Sequence, residues 1–209
     1  LLPMFSRMLK LGEDVSSLLQ LSFKLIWAGA FAIAAGCIFF REEIMLALYE
    51  SGSTYTANTL AWLMLSFLAI CGCYIYGTLL TANGNLRRMN QVFVLGVLLN
   101  IGLNLWLIPR WGALGAAIAT CCTQALVWLS QILLVKQILH IPFELRTFLQ
   151  IVSFSTLAVG INLLLKEQLA FNWFVKFLLC ILSSLGLAFL FKLIHPISTL
   201  QMLGKYSAE

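Results

Sequence analysis

Residues 90–135 read NQVFVLGVLLNIGLNLWLIPRWGALGAAIATCCTQALVWLSQILLV, and this stretch decides the fold class. Its only charged residue is Arg110. A bilayer core of about 30 Å requires roughly 20 apolar residues per helix, so the stretch is long enough for two crossings. The short break at residues 109–112 begins with Pro109, which cannot continue a helix. The stretch therefore predicts two spans, Asn90–Ile108 and Ala113–Val135, packed as a helical hairpin.

The composition extends this prediction to the whole chain. Of its 209 residues, 61% are hydrophobic and 10% are charged, and the mean hydropathy is +0.96. Soluble domains are about 45–50% apolar and about 25% charged. We therefore expect an all-α polytopic transmembrane helix bundle of about six spans. The four spans outside the hairpin are predicted at Leu21–Phe40, Thr59–Leu80, Thr147–Leu165 and Trp173–Ile194.

The breaks between these spans divide the chain into five predicted parts. Residues 1–20 are expected to be the end of a preceding helix and a cytoplasmic connection, and residues 21–135 a four-helix unit. Residues 136–146 form a cytoplasmic loop, residues 147–194 two additional spans, and residues 195–209 a cytoplasmic tail. The chain begins at Leu1 and shows no signal peptide, so we expect further sequence upstream.

Lysine and arginine positions predict the orientation in the membrane. Basic residues concentrate on the cytoplasmic side, and an even number of spans returns the chain to its starting side. With the N-terminal segment inside, nine basic residues lie inside and four outside, which favours two cytoplasmic ends. The inner set is Arg7, Lys10, Lys24, Arg87, Arg88, Lys136, Arg146, Lys192 and Lys205, and the outer set is Arg41, Arg110, Lys166 and Lys176.

Polar side chains inside the predicted hairpin are the candidates for function, because such groups are costly in hydrocarbon. Asn100 and Asn104 are four residues apart and share one helical face. On the next span, Ala116, Thr120 and Gln124 form a second stripe at the same spacing. The two stripes favour either an interhelical hydrogen-bond clamp or a site for a hard monovalent cation such as sodium. Both interpretations stay open at this stage.

Three cations near the predicted inner surface are candidates for contact with phosphate. Lys24 is expected at the inner end of the first span, where it would either extend to the headgroups or point into a cavity. Arg87 and Arg88 lie in the inner loop after the second span. They are either topology determinants or contacts for an anionic headgroup or pyrophosphate.

Motifs for other chemistry are missing from the sequence. It contains no His-Glu-x-x-His, no Gly-rich phosphate loop and no Cys-x-x-Cys pair. We therefore expect a protein that is not an enzyme, requires no cofactor and does not bind nucleic acid.

The hairpin also resembles a known family. The segments Leu98–Pro109 and Gly112–Thr120, preceded by Leu79–Asn85, resemble the polysaccharide flippases of the multidrug/oligosaccharidyl-lipid/polysaccharide superfamily. The resemblance implies helices nine to fourteen of a fourteen-helix carrier. This chain would then be the C-terminal lobe of a MATE-like transporter in the inner membrane. Such a transporter works by alternating access between two lobes, and the N-terminal lobe would be missing here.

The resemblance further implies a substrate and a coupling ion. Members move polyprenyl-pyrophosphate-linked oligosaccharides for O-antigen, capsule or exopolysaccharide export, with a polymerase and a chain-length regulator as partners. The related lipid II flippases have a sodium site, which would correspond here to Asn100, Asn104, the Ala116 carbonyl and Thr120. Asn104 stands where that pattern has an aspartate, and the pattern's further carboxylate lies outside this chain. Sodium coupling, proton coupling and uncoupled transport therefore stay open.

Three functions are compatible with these features. The leading hypothesis is a flippase for a lipid-linked oligosaccharide. The second is a multidrug/cation antiporter of the same superfamily, which usually has acidic residues inside the membrane. The third is a membrane-embedded polysaccharide polymerase or glycosyltransferase, which would require a large outer loop, and the longest one here is predicted at residues 41–58.

Overall fold

The computed structural model describes residues 1–49, 52–141, 144–168 and 171–194. The predicted cytoplasmic tail, residues 195–209, lies outside the described residues. The described part is helical and contains no β-strand, which confirms the predicted all-α class. Its helices are α1 (Leu2–Leu11), α2 (Ser16–Phe39), α3 (Arg41–Leu48), α4 (Thr54–Ala82), α5 (Leu86–Leu139), α6 (Leu145–Gln168) and α7 (Trp173–Leu190).

Five of these helices, α2 and α4 to α7, are long and apolar enough to cross a membrane. Helix α5 has 54 residues and would be about 80 Å long if straight, at about 1.5 Å per residue. It is interrupted at Gly112, whose φ of 52° and ψ of −130° are not helical. Beyond this point the chain runs back, since Asn100 contacts Thr123 and Gly115 contacts the Leu107 carbonyl. The two arms, residues 86–111 and 113–139, are the predicted hairpin, and the polytopic helix bundle is confirmed.

Several predicted helix ends are wrong by a few residues. The third span was expected to end at Pro109, yet Pro109 lies inside the helical arm. A proline near a helix end removes only one backbone hydrogen-bond donor, so Pro109 is tolerated there. The Gly112 dihedrals lie outside the region that L-residues occupy, and this glycine therefore sets the reversal. Helix α2 begins at Ser16, before the predicted Leu21, and α7 ends at Leu190, before the predicted Ile194.

The connection expected as a polar loop at residues 41–58 contains more helix than predicted. Phe40, with φ −109° and ψ 25°, ends α2, and the short helix α3 follows directly. Helix α4 then begins at Thr54 behind a capping box, in which Ser53 and Thr56 satisfy each other's backbone N–H groups. Among its described residues, the connection between α2 and α4 therefore consists largely of the short helix α3.

Helix α2 occupies the centre of the bundle and contacts α4, α6 and α7. Its small residues Ala28, Ala32 and Gly36, four apart, are all buried. At Gly36 an added Cβ would lie 3.1 Å from the Phe177 ring of α7, so only a small residue allows this approach. This stripe of small residues on α2 is therefore a packing surface.

Candidate functional site

The reversal between the two arms of α5 is held by Tyr55 from the first turn of α4. Its hydroxyl donates to the Trp111 carbonyl at 2.7 Å and accepts from the Leu114 N–H at 3.1 Å. Both groups flank Gly112 and would otherwise lack a helical partner at this turn. One phenol thus fixes the end of the hairpin against α4, although Tyr55 is far from the hairpin in sequence.

Below the turn, polar side chains form a hydrogen-bonded chain between the arms. Asn104 Nδ2 donates to Asn100 Oδ1 at 2.8 Å, and Asn100 Nδ2 donates to Thr123 Oγ1 at 3.3 Å. The Thr123 hydroxyl donates in turn to the Ala119 carbonyl at 2.7 Å. The two asparagines therefore share one face, as predicted, and the chain they form joins the arms.

The second predicted stripe does not join this chain. Thr120 Oγ1 donates to the Ala116 carbonyl at 2.9 Å, a bond within its own helix. The hydrogen bond to the asparagines comes instead from Thr123, which with Ala119 belongs to the buried face of this arm. Among the described residues, the predicted set Asn100, Asn104, Ala116 and Thr120 therefore forms two pairs without a hydrogen bond between them.

Asn104 keeps one unsatisfied atom. Its Oδ1 is buried and has no hydrogen-bond partner in the described part of the chain. An orphaned amide oxygen inside an apolar bundle costs free energy, and amide, hydroxyl and carbonyl oxygens are the ligands of hard cations. The described residues hold no cluster of His, Cys, Asp or Glu that could bind a metal ion. The amide, hydroxyl and carbonyl oxygens described on the hairpin carry no formal charge.

The three candidate phosphate contacts lie apart from this chain. Arg87 and Arg88 are exposed in the first turn of α5. Lys24 is half-buried and lies about two turns inside α2, because the helix begins at Ser16 rather than at Leu21. Lys24 is therefore deeper than the predicted end of the span. Within the described residues none of the three makes a hydrogen bond or ion pair, and their proposed role stays a prediction.

An aromatic cluster connects the hairpin to the rest of the bundle. The rings of Trp27 and Trp128 stack with centroids 5.4 Å apart, and Phe23 contacts Trp128 at 6.0 Å and Tyr76 at 5.7 Å. Trp27 Nε1 also donates to Ser155 Oγ of α6 at 3.4 Å. Side chains of α2, α4, α5 and α6 thus meet at one place. Sequence reasoning did not find the cluster, because its members come from four separate spans.

Comparison with known proteins agrees with this architecture. The chain is 33% identical over 109 residues to the "Uncharacterized membrane protein MJ1375" of Methanocaldococcus jannaschii. That alignment covers 50% of this chain and 25% of the archaeal protein, so the chain spans a minor part of that relative. The sequence model of the family described as "Lipid II flippase MurJ" matches residues 1–184. A match over most of the chain, on a bundle with this hairpin, shows that the chain belongs to the lipid II flippase MurJ family.

Proposed function

We propose that this chain is part of a membrane transporter that moves a lipid-linked saccharide precursor across the bilayer. The family match over residues 1–184 is the observation that carries the proposal. The described bundle supports it, since polar amides at Asn100 and Asn104 lie inside a hairpin that is largely apolar. Alternating access by two lobes would supply the movement. The chain's role is binding and translocation, without an enzymatic step.

The proposed substrate carries a saccharide on a polyprenyl pyrophosphate. Within that chemistry, the segments Leu98–Pro109 and Gly112–Thr120 resemble the flippases of O-antigen, capsule and exopolysaccharide assembly. The family description names lipid II. We favour the surface-polysaccharide precursor, and the experiment below separates it from lipid II.

The proposed coupling ion is sodium, bound at the hairpin. Asn104 Oδ1 is the available oxygen, and the register of the arms places Asn104 opposite Ala119, close in sequence to Ala116 and Thr120. The Thr120 hydroxyl donates its hydrogen to the Ala116 carbonyl, which leaves its lone pairs free to coordinate a cation. These oxygens carry no formal charge, so a carboxylate from elsewhere in the protein would strengthen the site.

The proposed orientation places both ends of the chain in the cytoplasm. Of the basic residues that the structure describes, eight lie at the end that holds α1 and the start of α6, and four lie at the opposite end. Labelling of single cysteines placed at Lys10 and at Arg110 with an impermeant reagent in intact cells tests this. Arg110→Cys should react and Lys10→Cys should not, and the reverse pattern would exclude the proposed orientation.

The transport proposal is tested in proteoliposomes that carry the chain within its native gene product. Three cargoes are compared in a sodium gradient: fluorescent lipid II, an undecaprenyl-pyrophosphate-linked oligosaccharide, and a cationic drug. We expect translocation of the linked oligosaccharide, with lipid II moved less well. Transport of the drug alone would exclude a flippase and indicate an antiporter. Preferential transport of lipid II would exclude the surface-polysaccharide substrate and retain the flippase.

A further inference from the structure

A second polar feature lies on α6, away from the hairpin. An open cavity of about 450 Å³ is found where α6 begins and α7 ends. This is the same end of the bundle that holds most of the basic residues. The cavity is lined by Leu145, Arg146, Leu149, Gln150, Ser153 and Phe191.

The polar lining forms one stripe along α6. Arg146, Gln150 and Ser153 follow the i, i+4, i+7 pattern of a single helical face. The carboxylate of Glu144, next to the described lining residues in sequence, accepts a hydrogen bond from the Thr147 hydroxyl, and Thr147 belongs to the buried face of α6. Within the described residues, Arg146 makes no hydrogen bond or ion pair. The guanidinium beside the cavity is thus available to an anion.

Gln150 adds a second requirement. Its Oε1 is buried and has no hydrogen-bond partner in the described part of the chain. A buried acceptor of this kind requires a donor, and a phosphodiester offers only acceptors. A ligand that satisfies both Arg146 and Gln150 therefore combines an anionic phosphate with a hydroxyl group.

The remaining lining residues point to a lipid. Leu145 and Leu149 are 61% and 53% exposed, and Phe191 is half-buried. Gln150 is one to two turns into α6, or about 7–8 Å at about 1.5 Å per residue. In a helix that begins at the membrane surface, such a position lies at the boundary between headgroups and acyl chains, about 5–10 Å into the interface. A polar pocket with apolar walls at this depth fits an amphiphile better than free phosphate.

We propose that this cavity binds the headgroup of an anionic glycerophospholipid that carries a free hydroxyl, of the phosphatidylglycerol type. The phosphate pairs with Arg146, a headgroup hydroxyl donates to Gln150 Oε1, and the acyl chains contact Leu145, Leu149 and Phe191. Basic pockets between transmembrane helices are a common form of headgroup site. This site is on α6 and α7, so it does not depend on the function proposed for the hairpin.

The charge requirement is tested by lipid titration of the detergent-solubilised protein, followed by native mass spectrometry. The probes are phosphatidylglycerol and phosphatidylcholine, and Arg146→Gln is compared with Lys136→Gln, an exposed cation at the same end. We expect Arg146→Gln to weaken phosphatidylglycerol binding about fivefold, the equivalent of about 1 kcal/mol for one basic residue at a membrane surface, and Lys136→Gln to change it less than twofold. Equal losses in the two variants, or equal affinity of the wild type for both lipids, would overturn the proposal.

The hydroxyl requirement is tested with Gln150→Leu. This variant should bind phosphatidylglycerol at least threefold more weakly, while its affinity for phosphatidylmethanol, an anion without the hydroxyl, should equal that of the wild type. A loss of the same size for both lipids would contradict the assigned role of Gln150. Displacement of phosphatidylglycerol by millimolar inorganic phosphate, or by a micromolar polyprenyl pyrophosphate, would show that the cavity is not a phospholipid site.

Discussion

Replacement of Asn100 by alanine separates the two interpretations of the hairpin. The substitution removes the hydrogen bond to Thr123 Oγ1, at 3.3 Å, and the bond accepted from Asn104 Nδ2, at 2.8 Å. Interhelical hydrogen bonds in membranes contribute about 0.6 kcal/mol on average and at most about 1.7. Only the Asn100–Thr123 bond joins the arms, whereas the Asn104–Asn100 bond lies within one arm and contributes about 0.2–0.5 kcal/mol. Loss of both bonds should therefore reduce the free energy of unfolding by about 1–2 kcal/mol in a sodium-free buffer.

Sodium binding would add a separate and larger contribution. A ligand at about 100 times its Kd stabilises the folded state by about 2.7 kcal/mol. For a chain of this size each kcal/mol corresponds to about 2–4 °C in melting temperature. If the hairpin holds sodium, exchange of potassium for sodium should raise the wild-type melting temperature by about 5–10 °C, and Asn100→Ala should abolish that rise.

A matched control exists on the other helix pair. Asn162 is fully buried in α6, donates to Ser184 Oγ at 3.1 Å and accepts from Ser183 Oγ at 3.2 Å. Asn162→Ala therefore removes the same residue type and two hydrogen bonds, both of them between helices, and we expect a similar or larger loss of stability with the sodium response intact. Thermal unfolding of wild type and both variants in sodium and in potassium is the assay. A wild type that responds identically to both salts, or an Asn100→Ala variant that keeps the sodium response, would refute the ion site and leave the clamp.

Three further substitutions, one of them with a glycine control, test helix packing in the bundle by thermal unfolding in detergent. Tyr55→Phe removes both hydrogen bonds to the reversal turn. It should lower the free energy of unfolding by about 1–3 kcal/mol, because two backbone groups are left unpaired. An unchanged melting temperature would show that the turn does not need these bonds. Gly72→Ala places a Cβ 2.3 Å from Trp128 Nε1 and should lower the free energy of unfolding by about 1–3 kcal/mol. Gly29→Ala is the control, because an added Cβ there has no atom within 4 Å and should be neutral or stabilising. Equal effects of the two substitutions would contradict the clash at Gly72. Lys166→Met removes a 2.6 Å hydrogen bond to the last turn of α2 and should cost about 0.3–1 kcal/mol, with no loss if the cation does not cap that helix.

The hairpin could be predicted because its signals are local. Apolar length defines two spans, and the break at residues 109–112 lies between them. The sequence could not decide whether Pro109 or Gly112 is the point of reversal. The reversal depends on the φ of 52° at Gly112, and the presence of a glycine allows such a value without requiring it. The stripe at Ala28, Ala32 and Gly36 is a local signal of the same kind, since the four-residue spacing of small side chains is visible in the sequence without knowledge of a partner helix.

Contacts between spans could not be predicted with the same success. Residue spacing places Thr120 and Gln124 on one helical face. Thr123 lies on a neighbouring face, because the helix turns by about 100° from one residue to the next. The spacing does not say which of these faces contacts the first arm. The close approach at Gly96, where an added Cβ would lie 2.8 Å from Val127 Cγ2, selects the face of Thr123. Rotation of a helix about its axis is set by such contacts, and these are distributed over two segments of the chain.

The two buried asparagine sites of the bundle differ in a way that bears on function. Asn162 has both ends of its amide satisfied by serines of the neighbouring helix, as expected for a group whose role is to fix the packing of α6 on α7. Asn104 donates a hydrogen bond from its Nδ2 to Asn100, whereas its Oδ1 is buried and has no hydrogen-bond partner among the described residues. If the asparagines served only to hold the two arms together, a hydrogen bond donated to Asn104 Oδ1 would add stability, and one nearby hydroxyl group would be enough to supply it. The open acceptor at Asn104, which Asn162 lacks, is therefore the observation that supports the ion site proposed for the hairpin.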